Sequence, residues 1–77
     1  MRYTVVFHDL GDKVTEEITS DRELTCQEAA GIVLERSGRQ LDARAAVIWL
    51  IGENRVYPDT LLKDGDKLTI YRILGGG

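Results

Sequence analysis

The chain has 77 residues, of which 43% are hydrophobic and 30% charged, a composition typical of one small folded domain with a modest core. It holds no apolar run of about 18 residues, as a membrane-spanning helix would need, and its first residues lack the pattern of a secretion signal. With a net charge of −3, interspersed basic and acidic residues and one cysteine, we expect a cytoplasmic protein without a disulfide, a nucleic-acid partner or a membrane association.

The first 18 residues predict an antiparallel hairpin. Residues 2–8 alternate, which is typical of a strand with one buried face. Residues 9–12 (Asp-Leu-Gly-Asp) are typical of a turn, and residues 13–18 resume a strand. The side chains expected on the buried face are Tyr3, Val5, Phe7, Val14 and Ile18, whereas Arg2, Thr4, Val6 and His8 fall on the other face of the first strand.

Residues 26–37 predict a helix with a start signal and a stop signal. Thr25 is a good N-cap, and Glu28 stands three residues later, which is the spacing of a capping box. Gly38 suits the position that ends a helix. At about 100° per residue, one face of this helix is apolar and should pack across a sheet. That face comprises Cys26, Ala29, Ala30, Val33 and Leu34.

Three further strands are predicted after the helix. Residues 45–51 are apolar on both faces, which indicates a central strand that is either covered on each side or exposes a contact surface. Residues 52–55 predict a turn into a short strand at Val56 and Tyr57. A tight turn at residues 63–66 precedes an alternating strand at residues 67–74.

The order strand, strand, helix, strand, short strand, strand predicts an α+β domain. A helix that follows a hairpin lies across one face of the sheet, and the chain then returns to add its remaining strands. If the last strand pairs beside the first, a mixed four- to five-stranded sheet packs on the helix at about residues 26–37, which is the β-grasp architecture. We expect residues 1–74 to form this domain and residues 75–77 to form a flexible tail.

The glycines Gly75, Gly76 and Gly77 follow the last predicted strand. A glycine run within a chain usually forms a linker or a turn, but no residue follows here to be linked. A tail without side chains can enter a narrow channel in another protein and present its α-carboxylate there. The terminal carboxylate is therefore the candidate functional group.

The last part of the sequence resembles the ubiquitin-like superfamily, and most closely the small sulfur carriers of molybdopterin and thiamine synthesis. The resemblance rests on residues 62–66 (Leu-Lys-Asp-Gly-Asp), the strand at 67–74 and the terminal glycines. Those carriers similarly have an Asp-Gly-Asp turn, one last strand and a diglycine end. Spacing is comparable over residues 47–77, whereas the first 44 residues match in element order only.

The resemblance implies that an ATP-dependent activating enzyme converts the Gly77 carboxylate to an acyl-adenylate. Attack by a persulfide or an equivalent donor would give a C-terminal thiocarboxylate, which carries sulfur to a biosynthetic enzyme. The chain would then be the acyl donor, with no catalytic residue, metal or bound cofactor of its own. The partners implied are the adenylating enzyme and a sulfur-acceptor enzyme.

Two alternatives stay open at this point. Attack on the adenylate by an enzyme thiol would give a thioester, and the chain would be a protein modifier that conjugating and deconjugating enzymes attach to and remove from target proteins. A third reading is a non-conjugated interaction domain with an incidental glycine tail.

A partner surface is expected on the folded domain. Tyr71 and Ile73 alternate on one side of the last strand, and Ile48 and Leu50 are apolar candidates on the central strand. Completion of the core is an equally good explanation for some of these side chains. Arg72 could pair with an acidic partner, although a solvated strand residue is the simpler reading.

The remaining candidate residues have ordinary structural explanations. Cys26 is near a helix N-terminus, which can lower a thiol pKa, but it is on the apolar face and is expected to be buried. His8 has no neighbouring ligand for a metal and is expected to be a surface residue. Asp64 and Asp66 flank a turn glycine, where aspartate forms local hydrogen bonds. Trp49 is expected to pack in or beside the core.

Overall fold

The structure is a computed structural model that describes residues 1–9, 12–38 and 46–73. These residues form one helix and five strands. Their bounds are β1 (Arg2–Asp9), β2 (Asp12–Thr19), α1 (Cys26–Ser37), β3 (Ala46–Ile51), β4 (Asn54–Val56) and β5 (Lys67–Ile73). The predicted element order is confirmed.

The five strands form one mixed sheet in the order β2-β1-β5-β3-β4. β1 and β5 are parallel neighbours, whereas the pairs β1–β2, β3–β5 and β3–β4 are antiparallel. The domain is therefore a small α+β fold with a mixed five-stranded sheet and one helix, as predicted, and it is compatible with a β-grasp.

The hairpin of β1 and β2 has the predicted alternation. Tyr3 pairs with Ile18 and Phe7 with Val14, so the apolar side chains of both strands share one face of the sheet. Tyr3, Val5, Phe7 and Ile18 are buried, and Val14 packs against them. The predicted turn residues Leu10 and Gly11 lie outside the described residues.

Helix α1 has the predicted signals at both ends. The Thr25 hydroxyl accepts a hydrogen bond from the Glu28 N–H at 3.1 Å, and the Glu28 carboxylate accepts one from the Thr25 N–H at 3.0 Å, which completes the capping box. The Arg22 guanidinium donates to the same carboxylate at 2.7 Å. This bond, followed by the bond from Thr25, lowers the pKa of Glu28 to about 2. Gly38 ends the helix with φ of 69°.

The core lies between α1 and the helix-facing side of the sheet. Its buried side chains come from β1, β2, α1, β3 and β5 and from the segments that flank the helix and precede β5. They are Tyr3, Val5, Phe7, Ile18, Leu24, Cys26, Ala29, Ala30, Val33, Trp49, Leu62, Leu68 and Ile70. Trp49 is thus a core residue, and the predicted apolar face of α1 is the face that packs on the sheet.

The predicted bounds of the turn and strand after β3 are wrong. Ile51 pairs with Asn54, so the reversal needs only Gly52 and Glu53, because Gly52 takes a φ of 62° that a side chain would disfavour. Tyr57 lies outside the strand. The Tyr57 N–H donates a hydrogen bond to the Thr60 hydroxyl at 3.0 Å. The next residue, Pro58, has no N–H and so cannot donate a hydrogen bond to a neighbouring strand. Leu74, the last residue of the predicted final strand, lies outside the described residues.

The turn before β5 is fastened to the start of β1. The Asp64 carboxylate accepts from the Arg2 N–H at 2.7 Å, and the Asp66 carboxylate accepts from the Lys63 N–H at 2.8 Å. The Gly65 N–H donates to the Arg2 carbonyl at 2.8 Å. Asp66 therefore makes the local hydrogen bond predicted for it. The hydrogen bond of Asp64 is not local as predicted, since it joins the turn to the start of β1.

Candidate docking face and C-terminal segment

The side of the sheet opposite α1 carries a continuous set of side chains that we call the open face. Strand pairing brings these residues together from all five strands. They are Arg2, Thr4, Val6 and His8 of β1, Lys13, Thr15 and Glu17 of β2, Ile48 and Leu50 of β3, Arg55 of β4, and Lys67, Thr69 and Tyr71 of β5.

An aromatic and apolar cluster occupies one end of the open face. The rings of His8 and Tyr71 stack with centroids 4.5 Å apart and an interplanar angle of 6°. Ile48 is the partner of Tyr71 on the other side, and Leu50 follows it along β3. Tyr71 remains 42% exposed, while Ile48 and Leu50 are half-buried. These apolar groups are close enough to act as one contact surface.

Val6 is buried on the open face although it is not part of the core under the helix. It is 2% exposed and lies between Thr15 of β2 and Thr69 of β5, which are its partners on the two neighbouring strands. β-branched neighbours cover a small side chain well on a pleated surface. Val6 is therefore a buried residue of the open face, next to His8 on the same side of β1.

Four exposed cations lie on the open face. Lys13 is beside His8 and Arg55 is beside Leu50, whereas Lys67 and Arg2 lie towards the other end of the sheet. Glu17 is the one carboxylate on the open face within the described residues. The formal charge of the face is therefore +3, whereas the whole chain carries −3. None of the four cations forms a side-chain hydrogen bond or an ion pair with another described residue; the ion pair found in that part of the chain joins Arg22 and Glu28.

The other predicted partner-binding residues are Arg72, which is not on the open face, and Ile73, whose side chain is not among those described. Arg72 pairs with Val47 of β3, so it lies on the side of the sheet that faces α1 and not beside Tyr71. The backbone of Ile73 pairs with Ala46, but its side chain is outside the described residues. The predicted acyl-donor residues Gly75, Gly76 and Gly77 are also outside them.

Cys26 is a fully buried core residue, as predicted. Its side chain is 0% exposed, and burial, followed by the charge of Asp66, raises the pKa of the thiol to about 11. The helix N-terminus therefore does not activate it, because the loss of solvation of the thiolate is the larger effect.

The N-terminus of α1 offers no free N–H groups to an anion. The N–H of Cys26 donates to the Thr60 carbonyl and that of Gln27 to the Pro58 carbonyl, each at 2.9 Å. The N–H of Glu28 is bound by the capping hydroxyl of Thr25. The segment after β4 thus satisfies the groups that make other helix N-termini anion sites.

His8 and the cations of the open face were not recognised as functional candidates from the sequence. The alternation of residues 2–8 already put His8 and Val6 on one face. It could not show that Tyr71 would lie beside His8, because the β1–β5 pairing joins residues about 60 positions apart. The information missing from the sequence was which strand pairs with β1 on the side away from β2.

Within the described residues, no group of three or more histidine, cysteine, aspartate or glutamate side chains is arranged to hold a metal ion. No helix in the same part of the chain is long and apolar enough to cross a bilayer. No protein-family model matches this sequence, and a search of curated proteins finds no significant match.

Proposed function

We propose that this protein is a ubiquitin-like sulfur carrier with the β-grasp fold, and that a partner enzyme activates its C-terminal glycine carboxylate. The sheet order β2-β1-β5-β3-β4 on one helix supports the fold assignment. One observation carries the functional proposal. β5 is the middle strand of the sheet, and in the sequence only Leu74 separates its last residue from Gly75, Gly76 and Gly77.

The open face and the glycine segment are close enough along the chain to engage one partner. Tyr71 and Ile48 lie near the end of β5 that leads to the glycines. Gly77 is the sixth residue after Tyr71, and six residues can extend over at most about 20 Å. A partner that docks on Tyr71 therefore needs its active site within about 20 Å of the contact. This distance suits a cleft on a single enzyme domain.

The proposed chemistry begins at a carboxylate. It is a poor electrophile because the negative charge delocalised over its two oxygens shields the carbon from a nucleophile. An oxygen of the Gly77 carboxylate attacks the α-phosphorus of ATP on the activating enzyme, and pyrophosphate leaves. A persulfide sulfur then attacks the acyl carbon, AMP leaves, and cleavage of the sulfur–sulfur bond by a thiol of the donor system leaves a thiocarboxylate. This chain supplies the acyl group, and the enzyme supplies the catalytic residues and uses the ATP.

The burial of Cys26 is consistent with a protein that carries an activated acyl group. An exposed thiolate would compete with the sulfur donor for the acyl carbon. The Cys26 side chain is 0% exposed and the pKa of its thiol is raised to about 11. Among the described residues, the chain therefore offers its own tail no reactive thiol.

Intact-mass analysis tests the proposal. The protein purified from its native host is analysed directly, and the recombinant protein is analysed after incubation with ATP, a candidate activating enzyme and a persulfide donor. We expect a gain of about 16 Da, because one oxygen is replaced by sulfur. A chain extended by one alanine after Gly77 is the control, since it keeps the domain but moves the carboxylate.

Other outcomes identify the alternative functions. Adducts of higher mass in cells that disappear when Gly76 and Gly77 are deleted would assign the chain as a protein modifier. An unmodified C-terminus in every preparation, with partner binding unchanged after the glycines are removed, would leave an interaction domain and refute the sulfur-carrier proposal.

A further inference from the structure

Strand β2 is a long edge of the sheet, and no other strand of the domain lies on its outer side. Its eight residues pair with β1 without a bulge and include neither proline nor glycine. The opposite edge is β4, which has three residues. Proteins usually shorten, bend or interrupt an exposed edge, because its free N–H and carbonyl groups can pair with another strand. β2 is neither short nor interrupted.

Hydrogen bonds at the end of the hairpin show which backbone groups of β2 point outward. The Ser20 N–H donates to the Met1 carbonyl at 2.8 Å, and the Met1 ammonium donates to the Ser20 carbonyl at 2.7 Å. Bonded pairs alternate along an antiparallel ladder, so the even-numbered residues of β2 bond β1. Lys13, Thr15 and Glu17 therefore direct their N–H and carbonyl groups away from β1.

A contact from the helix agrees with this assignment. The Arg36 guanidinium of α1 donates to the Glu17 carbonyl at 3.3 Å, as expected for a carbonyl that points away from β1. A carbonyl oxygen has two lone pairs, so it can accept a second bond from another strand. The side chains of Lys13, Thr15 and Glu17 are all exposed. The outer side of β2 can therefore be approached both by backbone and by side chains.

We propose that β2 pairs antiparallel with β2 of a second copy of this chain, about a two-fold axis at Thr15. In this register Thr15 faces Thr15 of the second copy, and Lys13 faces Glu17 of the second copy on each side of the axis. All three residues have outward backbone groups, so each pair exchanges both of its N–H···O bonds. Opposite charges that face each other directly across two strands stabilise the pairing.

The charges of β2 favour this register over its neighbours. Outward residues must face outward residues, so the register can change only in steps of two. Either step removes both pairs of Lys13 with Glu17. A step in one direction also puts Glu16 opposite Glu16 of the second copy, and like charges directly opposed destabilise a strand pair. The strand is therefore complementary to itself, as a two-fold interface requires.

This interface goes beyond the proposed function and is compatible with it. β1 lies between β2 and β5, so the pairing covers neither Tyr71 nor the end of β5. One strand pair buries less surface than a standard protein interface. We therefore expect a weak dimer, with a dissociation constant on the order of 100 μM.

Sedimentation equilibrium of the full chain tests the proposal, at low salt and from about 10 μM to about 1 mM protein. We expect a monomer–dimer equilibrium. Lys13→Glu and Glu17→Lys should each raise the dissociation constant at least about tenfold, because each puts like charges together on both sides of the axis. Lys63→Glu and Glu53→Lys make the same charge changes at exposed turn positions and should change it less than about twofold.

Mixing of variants tests the register itself. A one-to-one mixture of the Lys13→Glu and Glu17→Lys variants should associate about as tightly as the unaltered chain, because each charge again faces its opposite. Use of Lys63→Glu in place of Lys13→Glu keeps the net charges of both chains but leaves two lysines opposed on one side of the axis. That mixture should associate at least about threefold more weakly.

Thr15→Pro tests the backbone pairing. It removes an outward N–H at the axis and no bond to β1, a position that proline can take on an edge strand, so the variant should be monomeric. Circular dichroism verifies the fold of each variant. An unaltered chain that stays monomeric at about 1 mM would overturn the proposal. So would equal effects of the edge and turn variants, a charge-restoring mixture that fails to associate, or a folded Thr15→Pro dimer. None of these measurements involves ATP or an activating enzyme, so their outcome is distinct from that of the intact-mass test.

Discussion

Cys26 should be almost inert towards thiol reagents as long as the domain is folded. The perturbation is the addition of Ellman's reagent at about pH 8. The pKa of the thiol is raised from 9.0 to about 11, so the thiolate population falls about a hundredfold. The side chain is also 0% exposed, so the reagent reaches it only after the structure opens.

The opening equilibrium sets the size of the effect. In a domain with an unfolding free energy of about 5 kcal/mol, about one molecule in 5,000 is unfolded at equilibrium. If opening is global, labelling should be about 5,000-fold slower than in urea-unfolded protein. The free energy obtained from labelling rates should then agree with that from Trp49 fluorescence, since Trp49 belongs to the same core.

A matched control distinguishes burial from a general lack of reactivity. Leu61→Cys in a Cys26→Ala background gives a thiol at a site that is 54% exposed and close to the start of the same helix through the Thr25–Leu61 bridge. This thiol should react at nearly the unfolded rate. Reaction of Cys26 within about tenfold of the control would refute the reasoning, because it would require an accessible thiolate in the folded state.

The raised pKa also has a consequence for stability at high pH. The folded-state pKa of Cys26 is above its unfolded value of 9.0, so the folded state holds the proton more tightly. The stabilising contribution is complete below pH 9 and is lost as the pH rises towards 11. Cys26→Ala should remove this part of the alkaline destabilisation, measured by urea unfolding on both sides of that range.

Three further predictions concern the helix start and the core. Thr25→Ala should reduce the free energy of unfolding by about 1 kcal/mol, measured by urea denaturation, whereas Thr25→Ser should retain most of the cap; equal losses would contradict the capping box. The pKa of Glu28 is lowered from 4.5 to about 2 by Arg22 and Thr25, so its contribution to stability is present above pH 4.5 and is lost as the pH falls towards 2. Glu28→Gln should therefore flatten the acid limb of a stability profile, and an unchanged limb would argue against the depressed pKa. Ile70→Ala should cost about 3 kcal/mol because it leaves a cavity in a fully buried site, while the exposed Leu61→Ala should cost less than about 0.5 kcal/mol; similar costs would contradict the core position of Ile70.

Features whose partners lie within a few residues were predictable from the sequence. The capping box joins Thr25 to Glu28, and Gly38 ends the helix directly after its last residue. The hairpin pairs residues that one turn connects, and its alternation alone separates buried from exposed side chains. The prediction of the turn after β3 was wrong, because the tight turn at Gly52 uses two residues and not four, and β4 therefore begins earlier than expected.

The glycine segment was likewise recognised from the sequence, and its residues lie outside the described ones. The function proposed for it follows from the sequence resemblance and from its position directly after β5. The expected partner residues Tyr71, Ile48 and Leu50 were also chosen from alternation. The structure brings them together on one face, and alternation along β5 puts Arg72 on the other.

The parallel contact of β1 with β5 was decided by tertiary structure alone. This contact brings His8 beside Tyr71 and puts cations from distant parts of the chain on the same face as one apolar cluster. Along the sequence the charges are interspersed, so their separation into a positive face and an acidic remainder cannot be read from composition. The physical reason is that side-chain direction is local, set by a two-residue period, whereas strand order depends on the burial of the whole core against one helix.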